Sequence, residues 1–216
     1  MEARKLMTVS REQIHQRLLI RCAEFSHLSR VLTLNGPQSL ERQEADKFLP
    51  YLSRAVAGQQ LSVNAAKTIW GRVETLCHQH GSLHAVLVDE QYEALRTCGL
   101  SNAKVKTLLG INRALNDGTI SAQIYHSDDA DFITKQLVQL WGVGQWTAEM
   151  ALMFFFALPD VWSAGDVALA RGLNLLAEKE GVAAEKMLQA ATPYRTYLAL
   201  HIWQMLDANL MVEQDV

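Results

Sequence analysis

The stretch Leu140-Trp141-Gly142-Val143-Gly144-Gln145-Trp146-Thr147-Ala148 constrains this chain more than any other. Two glycines flank one valine, with helix-forming sequence on either side. Upstream, Ile133, Leu137 and Leu140 recur at helical spacing on one face. Downstream, residues 147–158 are nearly all apolar and rich in helix formers. The pattern predicts a tight hairpin between two helices. Glycine permits positive φ in such a turn and lets another backbone come close. The first amides of a helix lack partners within it, and with the helix dipole they attract an anion such as a phosphate. A carboxylate, Asp166, follows at the head of Val167-Ala168-Leu169-Ala170, where an aspartate commonly caps a helix.

Most of the remaining sequence also predicts helix. Residues 11–25 form an amphipathic opener with Ile14, Leu18 and Leu19 on one side, before a break at Asn35-Gly36-Pro37. Residues 44–57 align Phe48, Leu52 and Ala55, with a bend expected at Pro50. Ser62 and Ser101 are placed to cap helices over 63–78 and 102–115, and a short helix covers 91–97. Asp166 opens a helix to residue 178, and another spans 184–191. Pro193 is expected in the first turn of a helix over 194–210. No alternating strand pattern or low-complexity tract interrupts them, so the class is all-α.

A chain of 216 residues can build one good core or two small lobes. Its 49% hydrophobic and 20% charged content is that of a soluble globular protein. The opening Met1-Glu2-Ala3-Arg4-Lys5 is charged and precedes no apolar core segment, so no signal peptide is expected. The longest apolar run, residues 150–159, is too short to span a bilayer. Cys22, Cys77 and Cys98 are odd in number and far apart, which fits reduced thiols. Without a Cys-x-x-Cys pair, a cysteine-ligated zinc or iron–sulfur cluster is not expected. The net charge of −3 argues against nucleic-acid binding driven by lysine and arginine. Backbone amides add nothing to formal charge, so the balance leaves that mode open and predicts modest non-specific affinity.

Four blocks, in order, resemble the helix–hairpin–helix DNA glycosylases, within them the compact AlkA-type 3-methyladenine DNA glycosylase II. The hairpin is one. Trp162-Ser163-Ala164-Gly165-Asp166 matches the family's loop and aspartate. Ala57-Gly58-Gln59-Gln60-Leu61-Ser62-Val63-Asn64-Ala65-Ala66 matches the segment that enters the minor groove. Pro193-Tyr194-Arg195-Thr196-Tyr197-Leu198-Ala199-Leu200-His201-Ile202-Trp203 matches the final helix. The length leaves no room for the extra N-terminal mixed domain of the longer members.

The resemblance implies two helical lobes with the active-site cleft between them. Residues 40–157 would carry the glutamine loop and hairpin, and residues 1–39 plus 158–216 the aspartate and last helix. It implies a monofunctional enzyme of base excision repair, expected to be a monomer, that acts on double-stranded DNA with damaged bases. No membrane association is implied, and the compartment would be wherever genomic DNA lies. Asp166 would be the catalytic carboxylate, placed where a helix dipole stabilises an anion. Trp146, Trp203 and Met150 would line the base pocket, Met150 standing where some relatives have tyrosine. Gln60 would fill the gap left by the extruded base, with Gln59 and Ser62 beside it in the minor groove. Gly142, Val143, Gly144 and Gln145 would grip the DNA backbone, and Lys104 and Arg171 are candidates for phosphate. Members that also cut the strand place a Schiff-base lysine where Trp146 stands, so no lyase activity is implied. No cofactor is expected, except a structural monovalent cation that some members hold at the hairpin.

Taken singly, each feature has a plainer explanation. Gly-Val-Gly occurs in structural turns, Asp166 and Ser62 can be caps, and Trp146 and Trp203 can be core aromatics. An alternative within the class is excision of deaminated or etheno-adduct bases. Outside it stand a non-catalytic DNA-binding module and an unrelated all-α scaffold.

Overall fold

The computed structural model describes residues 9–208. The charged opening residues and the expected end of the last helix at Leu210 lie outside them. Among the described residues every regular element is helical. The chain divides into two compact lobes: one takes the residues up to Leu40 and from Leu158 onward, the other Glu41–Ala157.

The first lobe opens with α1 (Arg11–Arg21), started by a Ser10 capping box closed by Gln13. The opener expected to reach residue 25 ends at Arg21, because the chain turns at Cys22, and α2 (Ser26–Asn35) fills the stretch up to the expected break. Phe25, at the N-cap of α2, offers no capping oxygen. Glu180 supplies one instead: its carboxylate accepts from the amides of His27 at 2.5 Å and Leu28 at 3.2 Å.

The second lobe begins with a 3-10 turn at Ala45–Lys47 and then α3 (Phe48–Gly58). Pro50 does not interrupt this helix, which runs unbroken from Phe48 to Gly58. It falls in the first turn, where its missing N–H has no helical partner to lose. Next come α4 (Val63–His80), α5 (Leu83–Val86), α6 (Tyr92–Thr97) and α7 (Asn102–Asn116). Ser62 and Ser101 cap α4 and α7 by accepting from Ala65 and Lys104 amides. The hairpin helices α8 (Ala130–Val138) and α9 (Gln145–Phe154) close the lobe. Phe48, Phe155 and Phe156 are each within 1% of full burial and meet edge-on or tilted, with ring centroids 4.9–5.8 Å apart.

Back in the first lobe, α10 (Val167–Glu180) ends on left-handed Gly181, and α11 (Ala184–Ala191) and α12 (Arg195–Asp207) follow. Pro193 precedes the N-cap of α12, Tyr194, rather than occupying the first turn. Gly172 lets α10 approach α12 closely: a Cβ there would lie 2.4 Å from Ile202 Cγ2.

Candidate active site

The hairpin follows from its two glycines. Gly142 has φ +81°, and a Cβ on it would stand 2.2 Å from Thr107 Oγ1 of α7. Only glycine satisfies both the left-handed backbone and that contact. Val143 is buried, and its amide donates to Leu140 O at 3.0 Å. Expected to offer that amide to DNA, Val143 instead pins the turn to the core. Gly144 is the N-cap of α9, whose first ladder bond runs from Ala148 N to Gly144 O. Gln145 projects outward and donates its side-chain amide to Glu149 at 2.9 Å.

Beside the hairpin lies the loop from Gln59 to Ser62. Gln59 ties the two together, its side-chain amide donating to Thr147 Oγ1 at 3.1 Å and to Gly142 O at 3.4 Å. Lys104 sits under the loop, with its ammonium donating to Ala57 O at 2.8 Å and Gln59 O at 2.7 Å. Burial lowers its pKa from the ordinary lysine value. Expected as a phosphate contact, Lys104 thus has two of its three protons on backbone carbonyls. Gln60 is exposed and holds φ +57°, a left-handed conformation costly for a side chain with a Cβ. Ser62 is exposed as well, and its hydroxyl serves as the α4 cap.

Loop and hairpin enclose a groove of about 660 Å³, lined among others by Arg54, Gln60, Gly144 and Trp146. Trp146 is 44% exposed, far from a core aromatic. Met150, one turn further along α9, is buried and does not line this groove. Its carbonyl accepts from the Tyr51 hydroxyl at 2.9 Å.

In the first lobe Asp166 is the N-cap of α10, its Oδ1 accepting from Leu169 N at 2.9 Å. The segment leading to it is stitched to the start of α12. Buried Thr196 receives the Val161 amide on its hydroxyl at 2.9 Å and donates that hydroxyl to Leu158 O at 2.6 Å. Arg195 forms a two-pronged pair with Asp160, at 2.8 and 2.9 Å. Burial opposes ionisation of Asp160, but the hydrogen bonds and charge of Arg195 outweigh it and hold the carboxyl below the usual aspartate value. Trp203 is half-buried on α12, and Arg171 is exposed on α10.

No family model matches the chain. Among curated proteins it is 29% identical to DNA-3-methyladenine glycosylase 1 of Schizosaccharomyces pombe, over 77% of this chain and 75% of that protein. It is 30% identical to a probable bifunctional transcriptional activator and DNA repair enzyme AlkA of Mycobacterium tuberculosis, over 71% of this chain but only 32% of that longer protein. A solved DNA-3-methyladenine glycosidase of Bacillus halodurans superposes with TM-score 0.75 and 28% identity, covering 91% of each chain. The chain belongs to the helix–hairpin–helix family of 3-methyladenine DNA glycosylases. A further family structure, the S. pombe enzyme in complex with abasic DNA, superposes with TM-score 0.72 and 26% identity, covering 88% of this chain and 97% of that one.

Within this family frame, one lobe brings together Gln59, Gln60, Gly142, Gly144 and Trp146, and the other carries Asp166, Arg171 and Trp203. The sequence reading missed the supports: Thr107 under the hairpin, Lys104 under the loop, Thr196 and the Asp160–Arg195 pair beside the aspartate segment. A threonine inside a helix or a lysine after a cap gives no sign of a distant backbone contact. The groove arginine, Arg54, was missed too, because an arginine within a helix gives no sign of the groove it lines.

Proposed function

We propose that this protein is a monofunctional DNA glycosylase of base excision repair that flips out alkylated purines of the 3-methyladenine and 7-methylguanine class. It would hydrolyse the N-glycosidic bond and leave an abasic site. The observation that carries the reading is likeness along nearly the whole chain to a glycosylase solved with abasic DNA, the product such a reaction leaves.

The chemistry needs little from the protein. A purine alkylated at N3 or N7 already carries positive charge. As the bond from C1′ to the base nitrogen breaks, the base keeps the electron pair and departs neutral. The sugar passes through an oxocarbenium-like state that a nearby carboxylate stabilises. Water then adds to C1′, and its proton passes to Asp166 and on to solvent. The cap bond to Leu169 N fixes one oxygen of Asp166 and so limits the rotamers of that carboxylate. Trp146, half open to solvent, offers a face for an electron-poor base. Its indole cannot form an imine, and Lys104 is occupied by carbonyls. Strand cleavage is therefore not part of the reaction.

Gln60 would fill the space of the extruded base, with Gln59 and Ser62 beside it. Gly144 and Gln145 at the start of α9 would meet a phosphate. A monovalent cation at the hairpin would add positive charge there; the Leu140 carbonyl spends one lone pair on Val143 N and keeps another. The protein would work as a monomer wherever genomic DNA lies. Among the described residues no helix is long and apolar enough to cross a membrane.

The test is release of 3-methyladenine and 7-methylguanine from methylated duplex DNA by the protein and by Asp166→Asn. The parent should release both and leave strands unbroken until alkali is added. The variant should lose at least about a hundredfold in rate, the scale of a positioned acid–base group. A parent that releases neither base overturns the assignment, and a variant equal to the parent reduces Asp166 to a helix cap.

A further inference from the structure

Arg54 lies on α3 one turn before Gly58, on the face from which the Gln59–Ser62 loop departs. It is the only charged side chain among the residues lining the loop–hairpin groove. At about 660 Å³ that groove falls in the ~300–1,000 Å³ range of small-ligand sites. Other guanidinium groups of this lobe are committed: Arg42 to Asp128, Arg113 to Asp89. Lys104 is committed to carbonyls. Among the described residues no carboxylate lies within ion-pair distance of Arg54. Glu74 shares a neighbouring cavity with it but makes no such pair.

A guanidinium in that position must act on whatever enters the groove. The groove holds Gln60 on one wall and Trp146 on another, so a DNA strand fed past the loop brings both a base and its flanking phosphates close to Arg54. A cationic base is repelled by a guanidinium, whereas a phosphate matches its fork with two parallel hydrogen bonds. Arg54 is exposed at the groove, where it can keep its hydration until a phosphate arrives. The net charge of −3 makes such a local cation matter more, since the chain as a whole does not attract DNA.

We propose that Arg54 binds a phosphate of the DNA strand beside the extruded nucleotide and so fixes the register in which Gln60 enters the duplex. This rests on the glycosylase reading above. It adds a charged anchor on the loop side to the neutral amide grip of the hairpin.

The test measures binding to a duplex holding a tetrahydrofuran abasic analogue across a series of KCl concentrations, for the parent, Arg54→Ala and Arg54→Lys. Base release by the parent is measured alongside. Losing one phosphate contact should weaken binding about three- to tenfold at low salt and reduce the slope of log Kd against log[KCl] by about 0.9. Arg54→Lys should restore most of the slope but not all the affinity, because lysine is a point charge without the fork. If the parent is active and the Arg54→Ala slope is unchanged, this inference fails while the glycosylase reading stands. The inference also fails if Arg54→Ala speeds excision of cationic 7-methylguanine over neutral hypoxanthine at an unchanged slope, since Arg54 then faces the base. If the parent releases no alkylated base, the glycosylase reading itself fails.

Discussion

Gln60 occupies a backbone conformation that glycine would fill at less cost. A non-glycine residue at φ +57° costs on the order of 1 kcal/mol, and such residues collect where function needs them. Lys104 and Gln59 hold the loop around it, so the side chain is presented by a supported backbone. Gln60→Gly therefore separates two roles. If the glutamine acts on DNA, thermal stability should stay level or rise by a degree or two while base release falls at least about tenfold, the scale of losing one good hydrogen-bonded contact. Melting curves and excision rates on the same preparation check this. A rate that falls only as far as the melting temperature does would leave Gln60 a structural residue.

At the same scale, the sequence made the candidate site residues legible and hid what holds them. Asp166, Trp146 and Gln60 stood out through the motifs around them. Their supports are single contacts between residues far apart in the chain. Lys104 reaches back to Ala57, and Thr196 to Leu158. Nothing local encodes such a pairing, because a lysine or threonine in a helix is sterically content without it. Met150 shows the converse: its motif position suggested a pocket wall, while its burial places it among core side chains.

Elements were most legible where capping is local. Ser62, Ser101 and Asp166 each accept an amide bond three residues on, so residue type and position announce a helix start. The start of α2 was illegible because its capping oxygen belongs to Glu180, some 150 residues away along the chain. The hairpin combines both situations. Its glycines mark a turn, but the demand on Gly142 comes from Thr107 on another helix. Gly142→Ala should cost about 1–2 kcal/mol through the left-handed backbone alone, and more from the clash. For a chain of this size that lowers the melting temperature by at least about 2–4 °C per kcal/mol. Adding Thr107→Ala removes the two nearest atoms, Oγ1 and Cγ2, but leaves the φ penalty. The double variant should recover part of the loss, never all of it. No recovery in thermal melts would mean that the contact contributes nothing and backbone strain alone fixes this glycine.

For the whole molecule, hydrophobic spacing and the absence of alternating strands were enough to give an all-helical chain. They could not reveal how polar groups are disposed within a core, and the first lobe contains a telling case. His201 is 1% exposed on α12 and His15 is 7% exposed on α1, with ring centroids 5.7 Å apart. The Nδ1 of neither ring has a hydrogen-bond partner. Burial, with the neighbouring His15 as a smaller contribution, lowers the His201 pKa to about 3 from the ordinary 6.5; burial lowers His15 as well. The folded lobe thus keeps His201 neutral, while the unfolded chain protonates it below about pH 6.5. Between these two values the unfolded state binds more protons, so stability falls as pH falls. Each pH unit in that window costs up to roughly 1.4 kcal/mol for His201, and above about pH 6.5 the effect vanishes. Urea unfolding followed from pH 8 down to about pH 4.5 should show a flat region and then a decline. His201→Phe removes the titrating ring without taking away a ring hydrogen bond, so its decline should be clearly shallower, with a remainder from His15. Because the comparison is between slopes, any packing change caused by the larger ring shifts both limbs alike and leaves the answer intact. Equal slopes in parent and variant would mean that the buried pair is not what limits this fold in acid.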